Sequence, residues 1–315
     1  MSEKDTRKRL QVGGQAVIEG VMMRSPDCIA TAVRTSAGAI VVQREPFKSL
    51  VRRYRPLNIP VIRGAIAFVE TFVIAIKALS FSAEKATEDL PGKEGDAAAA
   101  ASAPADAKKP RTGLSVVHIA LTIVAAFALG FGLFFYLPLF LTELTGLTQG
   151  VLFNLVDGVI RLVFLVMYIV LITRWKEMRR IFEYHGAEHK TISAFEEEGR
   201  ATPENVGAYS TLHTRCSTSF LLLVVVVSIV VFMILGRPQS VGDKIIRFAF
   251  IPVIGGVSYE LLKLSANPVA RRYMAPLVWP GLFLQRLTTK EPSSDQIEVA
   301  IAALDACLGD KTVES

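Results

Sequence analysis

Histidine is scarce in this sequence, with four among 315 residues. That scarcity excludes the histidine-box membrane oxygenases, whose sites need many more imidazole ligands. Cysteine is scarcer still. Cys28, Cys216 and Cys307 are scattered without a pairing pattern, which argues against a disulfide framework and fits a reducing, cytosol-facing setting. The GGQ near the N-terminus is followed by no Gly-Lys-Ser/Thr, so there is no phosphate loop. The di-iron pattern of Glu-x-x-His on paired helices is absent, and no order of serine, histidine and acid suggests a hydrolytic triad. Charge is also thin, at a fifth of the residues. The formal excess of +6 would suit nucleic acid, but Lys and Arg cluster beside apolar runs and are not interleaved with aromatics; no nucleic-acid partner is expected. No secretory signal is read either: MSEKDTRKRLQ is polar and leads to no apolar core with a cleavage site.

What is abundant is apolar surface. Half of the residues are hydrophobic, bunched in runs of the length that crosses a hydrocarbon core of about 30 Å. The expected fold class is an α-helical integral membrane protein. Region 113–265 holds four spans, over Leu114–Leu141, Val151–Thr173, Ser217–Gly236 and Lys244–Leu264. Lys108, Lys109 and Arg111 precede the first span, Arg174, Lys176, Arg179 and Arg180 follow the second, and Arg271 and Arg272 follow the fourth. The opposite loops carry one arginine between them. The positive-inside rule then puts the 174–216 loop and both termini in the cytosol.

Four further segments flank or precede the spans. Residues 1–58 form a small β-rich cytosolic unit, in which IATAVRT, SAG and AIVVQRE read as strand, turn and strand. Ahead of that pair lies GGQAVIEGVMMRSP, with Glu19 and Arg24. Residues 59–84 form an amphipathic helix with Arg63, Glu70, Lys77 and Glu84 seven apart; it is interfacial or re-entrant, since a full span would place the basic N-terminus outside. Residues 85–112, rich in Ala and Pro, read as a flexible linker, and residues 266–315 as a cytosolic tail with an amphipathic helix.

The chemistry gathers at one membrane edge. His185-Gly-Ala-Glu188-His189 has the pattern H-x-x-E-H. On a helix, i and i+4 share a face, so both imidazoles can reach one metal ion while the glutamate sits beside a bound water. The alternative is a solvated juxtamembrane helix. Topology adds His213 and Cys216, in HTRC before the third span, and Glu260 near the cytosolic end of the fourth, where an unpaired acid is costly. The expected metal ligands are therefore His185 and His189, completed from His213, Cys216 and Glu260, with Glu188 as catalytic base and a divalent metal, zinc by ligand type, as cofactor. The simpler readings are an ion pair of Glu260 with Lys263 or Arg271, a buried thiol for Cys216 and an interfacial hydrogen bond for His213. Asp157 and Arg161, four apart in the second span, pair most simply with each other, and His118 reads as structural.

Several long motifs resemble the bacterial YqhQ family: GGQAVIEGVMMRSP, PVIRGAIAFVET, FEYHGAEHKTISAFE, HTRCSTSF and PLVWPGLFLQRLTTKEPSSDQIEVAIAAL, in the family's order. The family is a domain of unknown function carrying the label of a predicted metal-dependent enzyme. The resemblance implies a bacterial inner-membrane protein with His185, Glu188, His189, His213 and Cys216 as family hallmarks. Three functions compete. One is a metal-dependent hydrolase at the cytosolic membrane surface, acting on a peptide, a lipid headgroup or an amphipathic metabolite. Another is a non-catalytic membrane factor with a structural metal, docking other membrane or translocation machinery. The last is a transporter using Asp157, Arg161 and Glu260, which four spans without inverted repeats disfavour unless the chain forms a homo-oligomer.

Overall fold

The computed structural model describes residues 12–87, 121, 124–213, 216–265 and 268–309. The basic residues before the first span, His118 and most of the 85–112 segment lie outside the described residues.

Four antiparallel strands, β1 (Gly13–Val17), β2 (Gly20–Arg24), β3 (Cys28–Arg34) and β4 (Ile40–Pro46), form a meander in sequence order. The β3–β4 hairpin is the one read from the sequence, with Arg34 opposite Ile40 and Gly38 at positive φ in the turn. The β1–β2 hairpin is new. It closes through Ile18 and Glu19, with Val17 opposite Gly20, and Glu19 takes φ 53°, a left-handed conformation usually left to Gly or Asn. Its carboxylate is held by Arg180, which anchors the strained turn to the helix carrying the histidines.

The sheet is covered on both faces. Helix α1 (Ile62–Thr87) lays Ile74 and Ala78 on Val17, Met22 and Val33. Its heptad-spaced charges are used in docking: Glu70 meets Arg24 at 3.5 Å and accepts from the Leu50 backbone at 2.6 Å. Val69, Phe72, Val73, Ile76 and Leu79 remain exposed on the other side. The opposite sheet face, with Val21, Met23, Ala30 and Ala32, packs against helices α4 and α9, described next.

Helices α2 (Val124–Leu144), α3 (Gly150–Ile172) and α5 (Ser217–Leu235) are long and apolar, and α6 (Val241–Ala249) with α7 (Ile251–Ser265) make one further apolar rod. Together with α1, five segments among the described residues are long and apolar enough to cross a membrane. Helix α4 (Lys176–Glu198) is different: its sequence is polar, yet Tyr184 and residues Gly186 to Ile192 are all buried, because the sheet, α9 and the 211–213 and 288–290 segments surround it. Gly199, at φ 80°, ends it.

The C-terminal region is two helices. The first, α8 (Pro268–Thr288), runs through Pro276 and Pro280 and packs on α5, where Gly281 allows the close approach of Ser219. The second, α9 (Ser294–Leu308), starts at a capping box of Ser293 and Gln296 and returns to the sheet. Its Ile297, Val299, Leu304 and Leu308 are buried there, each contributing about 1.5–3 kcal/mol. The C-terminal helix thus closes the N-terminal sheet.

Candidate metal centre

His185, Glu188 and His189 lie on the middle of α4, and their helical spacing puts the two imidazoles side by side with ring centres 4.4 Å apart. Cys216 meets them from the N-cap of α5, where its sulfur accepts from Thr218 N–H at 3.4 Å. One donor atom from each of His185, His189 and Cys216 lies within 4.8 Å of the others. The edges of a tetrahedron around zinc with two nitrogens and a thiolate are roughly 3.3–3.6 Å, so small side-chain shifts close the set.

Tautomers follow from the backbone. Nδ1 of His185 is 2.8 Å from the carbonyl oxygen of Thr288, and Nδ1 of His189 is 2.5 Å from that of Thr211. A carbonyl can only accept, so each Nδ1 carries the proton and each Nε2 keeps its lone pair. Nε2 of His185 faces Sγ of Cys216 at 3.2 Å. Donation from the far ring nitrogen to a carbonyl is how metal-ligating histidines are usually oriented.

Close backbone approaches make those contacts possible. A Cβ on Gly186 would stand 2.0 Å from the Lys290 carbonyl, so only glycine lets the 288–290 segment reach His185. The same segment is pinned by the Lys290 N–H donating to Phe182 at 2.9 Å and by buried Lys190, which pairs with Glu291. His213 is clamped by Gln285 of α8. Its Oε1 accepts from His213 N–H, and its Nε2 donates to the His213 carbonyl and to Ser219 Oγ, all at 2.9 Å.

Glu188 is buried next to the trio, and Gly14 of β1 gives it a backbone hydrogen bond. A Cβ on Gly14 would come 2.7 Å from the Met22 carbonyl oxygen and 2.9 Å from Glu188 Cγ, so both the paired strand and the carboxylate call for glycine there. Burial pushes the Glu188 carboxyl above its usual range, with His185 and His213 opposing the shift. Burial pushes His189 and His213 below the ordinary imidazole value, so both are held neutral near pH 7. These groups line a cavity of ≈ 320 Å³, closed on its other side by Phe68, Thr71, Phe220 and Tyr259.

Not every residue expected at the site reaches it. His213 sits beside the trio, its ring 5.6 Å from that of His189 and its Nε2 3.5 Å from Glu196. Glu260 is turned away: Arg63 of α1 donates to it through Nε at 2.6 Å and through Nη2 as well. The expectation of Glu260 as a ligand gives way to an ion pair with Arg63. Asp157 and Arg161 pair as read, at 2.9 Å. Thr211, Gln285 and Thr288 are absent from the sequence reading; a buried-type Gln two residues before Leu-Thr-Thr was the available signal.

Among the described residues, five apolar helices of membrane-crossing length stand beside a small sheet, with a His/His/Cys cluster at the junction, which suggests a multi-pass helical membrane protein. The chain belongs to the YqhQ family, matching the family described as "Protein of unknown function (DUF1385)" over residues 59–310. It is 34% identical over 309 residues to the Bacillus subtilis (strain 168) protein named "Uncharacterized protein YqhQ", covering 94% of this chain and 92% of that one. No solved structure matches.

Proposed function

We propose that this protein is a metal-dependent hydrolase with its site at the cytosolic surface of the bacterial inner membrane. The carrying observation is the trio of His185, His189 and Cys216, with both imidazoles oriented through Nδ1 so that Nε2 and the sulfur converge. Two imidazoles and a thiolate suit a divalent cation of zinc's softness, and three protein ligands leave a fourth position for water. Such a metal supplies an acidified water and a Lewis acid. The protein supplies the rest. Glu188 is placed to take the water's proton, and burial moves its affinity for a proton towards the working range of a general base. His213, held neutral, is positioned to receive a hydrogen bond within the same cavity.

Orientation rests on Arg174, Lys176, Arg179 and Arg180 beside the start of α4, by the positive-inside rule, with both termini then cytosolic. Helix α1 fits an interfacial or re-entrant placement better than a span, because its middle residues Ile74 and Ala78 pack on the same sheet that contributes Gly14 to the site. Its exposed apolar stripe would then lie in the lipid headgroup region.

A structural metal in a non-catalytic membrane factor is the competing reading, favoured by the burial of His189 and Cys216 at 1% and 4% exposure. Cobalt substitution separates the two. A hydrolase site with bound water gives a visible spectrum that titrates with pH, and Glu188→Gln shifts that titration. A closed four-ligand site gives a pH-invariant spectrum in both forms, which would reject the catalytic reading.

A further inference from the structure

A second polar group is buried in the apolar bundle, well removed in sequence from the histidine helix. Arg247 of α6 is 6% exposed. Its Nη2 donates to Asn154 Oδ1 at 2.6 Å and to the Gly236 carbonyl, and its guanidinium stands 4.8 Å from the ring centre of Phe232. Its Nη1 has no acceptor among the described residues.

The neighbouring charged groups already hold hydrogen-bond partners. Asp157 is bound twice by Arg161, at 2.9 and 3.2 Å. Arg161 also donates to the Phe134 carbonyl at 3.2 Å, in a π-helical turn of α2, Gly132–Tyr136, that redirects backbone acceptors. Asp243 accepts from the backbone N–H groups of Gln239 and Ser240 at 2.8 and 2.9 Å, and Lys244 pairs with Glu143 at 3.0 Å. Pairing these off leaves Arg247 as a cation whose hydrogen bonds go to neutral acceptors. A buried guanidinium in that state is costly unless an anion joins it.

Space for an anion adjoins it. Arg161, Lys244 and Arg247 share a cavity of ≈ 400 Å³ with Phe131, Phe135 and Phe248. Its rim residues Val241, Ile245 and Phe248 are exposed apolar side chains on a membrane-length segment, so the cavity opens towards lipid. We propose that this cavity binds one anionic phospholipid, its phosphodiester held among Arg161, Lys244 and Arg247 and its acyl chains lying on the aromatic wall. A phosphodiester brings negative charge to the three cations that line this cavity, and its oxygens suit a guanidinium fork. Free phosphate has the oxygens but nothing to cover the apolar wall. The proposal is independent of the metal reading.

The test is native mass spectrometry of the full chain, delipidated in detergent, with phosphatidylglycerol, diacylglycerol or inorganic phosphate added. The expected result is one phosphatidylglycerol per chain, no retained diacylglycerol, and no displacement by inorganic phosphate. Arg247→Gln weakens that binding by about tenfold or more. Ile245→Trp, at the exposed rim, obstructs the mouth without touching the buried cluster and weakens it similarly, so the test survives poor folding of the first variant. Metal content is unchanged in Ile245→Trp. Equal binding by diacylglycerol, displacement of the lipid by inorganic phosphate, or undiminished phosphatidylglycerol binding in Ile245→Trp would overturn the proposal.

Discussion

The sulfur of Cys216 lies 3.2 Å from Nε2 of His185, across 31 residues of chain. Two elements meet at that contact, the middle of a polar helix and the N-cap of an apolar one. Everything else at the site serves to hold them there.

Glu260 offers the sharpest contrast with the trio. Because Arg63 holds its carboxylate, Glu260→Gln leaves any bound metal in place and loosens the packing of α1 on α7. Metal analysis together with limited proteolysis of α1 checks this. Loss of metal from Glu260→Gln would return that residue to the ligand set.

Gln285 makes three hydrogen bonds that fix His213 and Ser219. Gln285→Ala removes them and leaves buried partners unmatched, at a cost of about 2–4 kcal/mol. Thermal unfolding should show the loss. A chelator should also strip metal faster from this variant, since His213 and Ser219 on either side of Cys216 are no longer clamped.

Gly186→Ala forces a methyl group against the Lys290 carbonyl, 2.0 Å from where its Cβ would stand. Backbone cannot yield as a side-chain end can, so the variant loses about 3 kcal/mol or more. The same shift breaks the Thr288 contact of His185, which imidazole NMR reads as a change in tautomer.

The acid response of the metal-free protein has a defined sign. His189 and His213 have folded values below 6.5, so as pH falls through 6.5 the unfolded chain takes up protons that the folded one refuses, and stability drops. Glu188 has a folded value above 4.5, so it holds a proton more readily when folded and partly offsets that drop as pH falls. Melting temperatures of chelator-treated protein should fall between about pH 7.5 and 5.5, and fall more steeply in Glu188→Gln. A shallower fall in that variant contradicts the assignment.

How much of this was legible in the sequence depends on the kind of signal. The H-x-x-E-H spacing is a local helical relation, so His185, Glu188 and His189 were readable as one face, and Cys216 followed from topology. Glu260 failed because depth along a helix says nothing of azimuth, and α1 supplied Arg63 to that side. Thr211 and Thr288 were invisible because they act through carbonyls that any residue offers. The β1–β2 hairpin was hidden by a turn of Ile18 and Glu19, which carries no turn residue and depends on Arg180. Helix α8 was hidden by Pro276 and Pro280, tolerated where packing against α5 outweighs their local cost. The long apolar helices and the β3–β4 hairpin needed only composition and period, which the sequence displays.

The most direct measurement is the metal content of the purified protein by elemental mass spectrometry, for the native chain and for His189→Ala and Cys216→Ser. The account predicts about one divalent ion per native chain and a loss to background in both variants, with unfolding temperatures of the chelated forms close to one another. Stoichiometric metal persisting in both variants, or a folded native chain that takes up none when zinc is supplied, would contradict it.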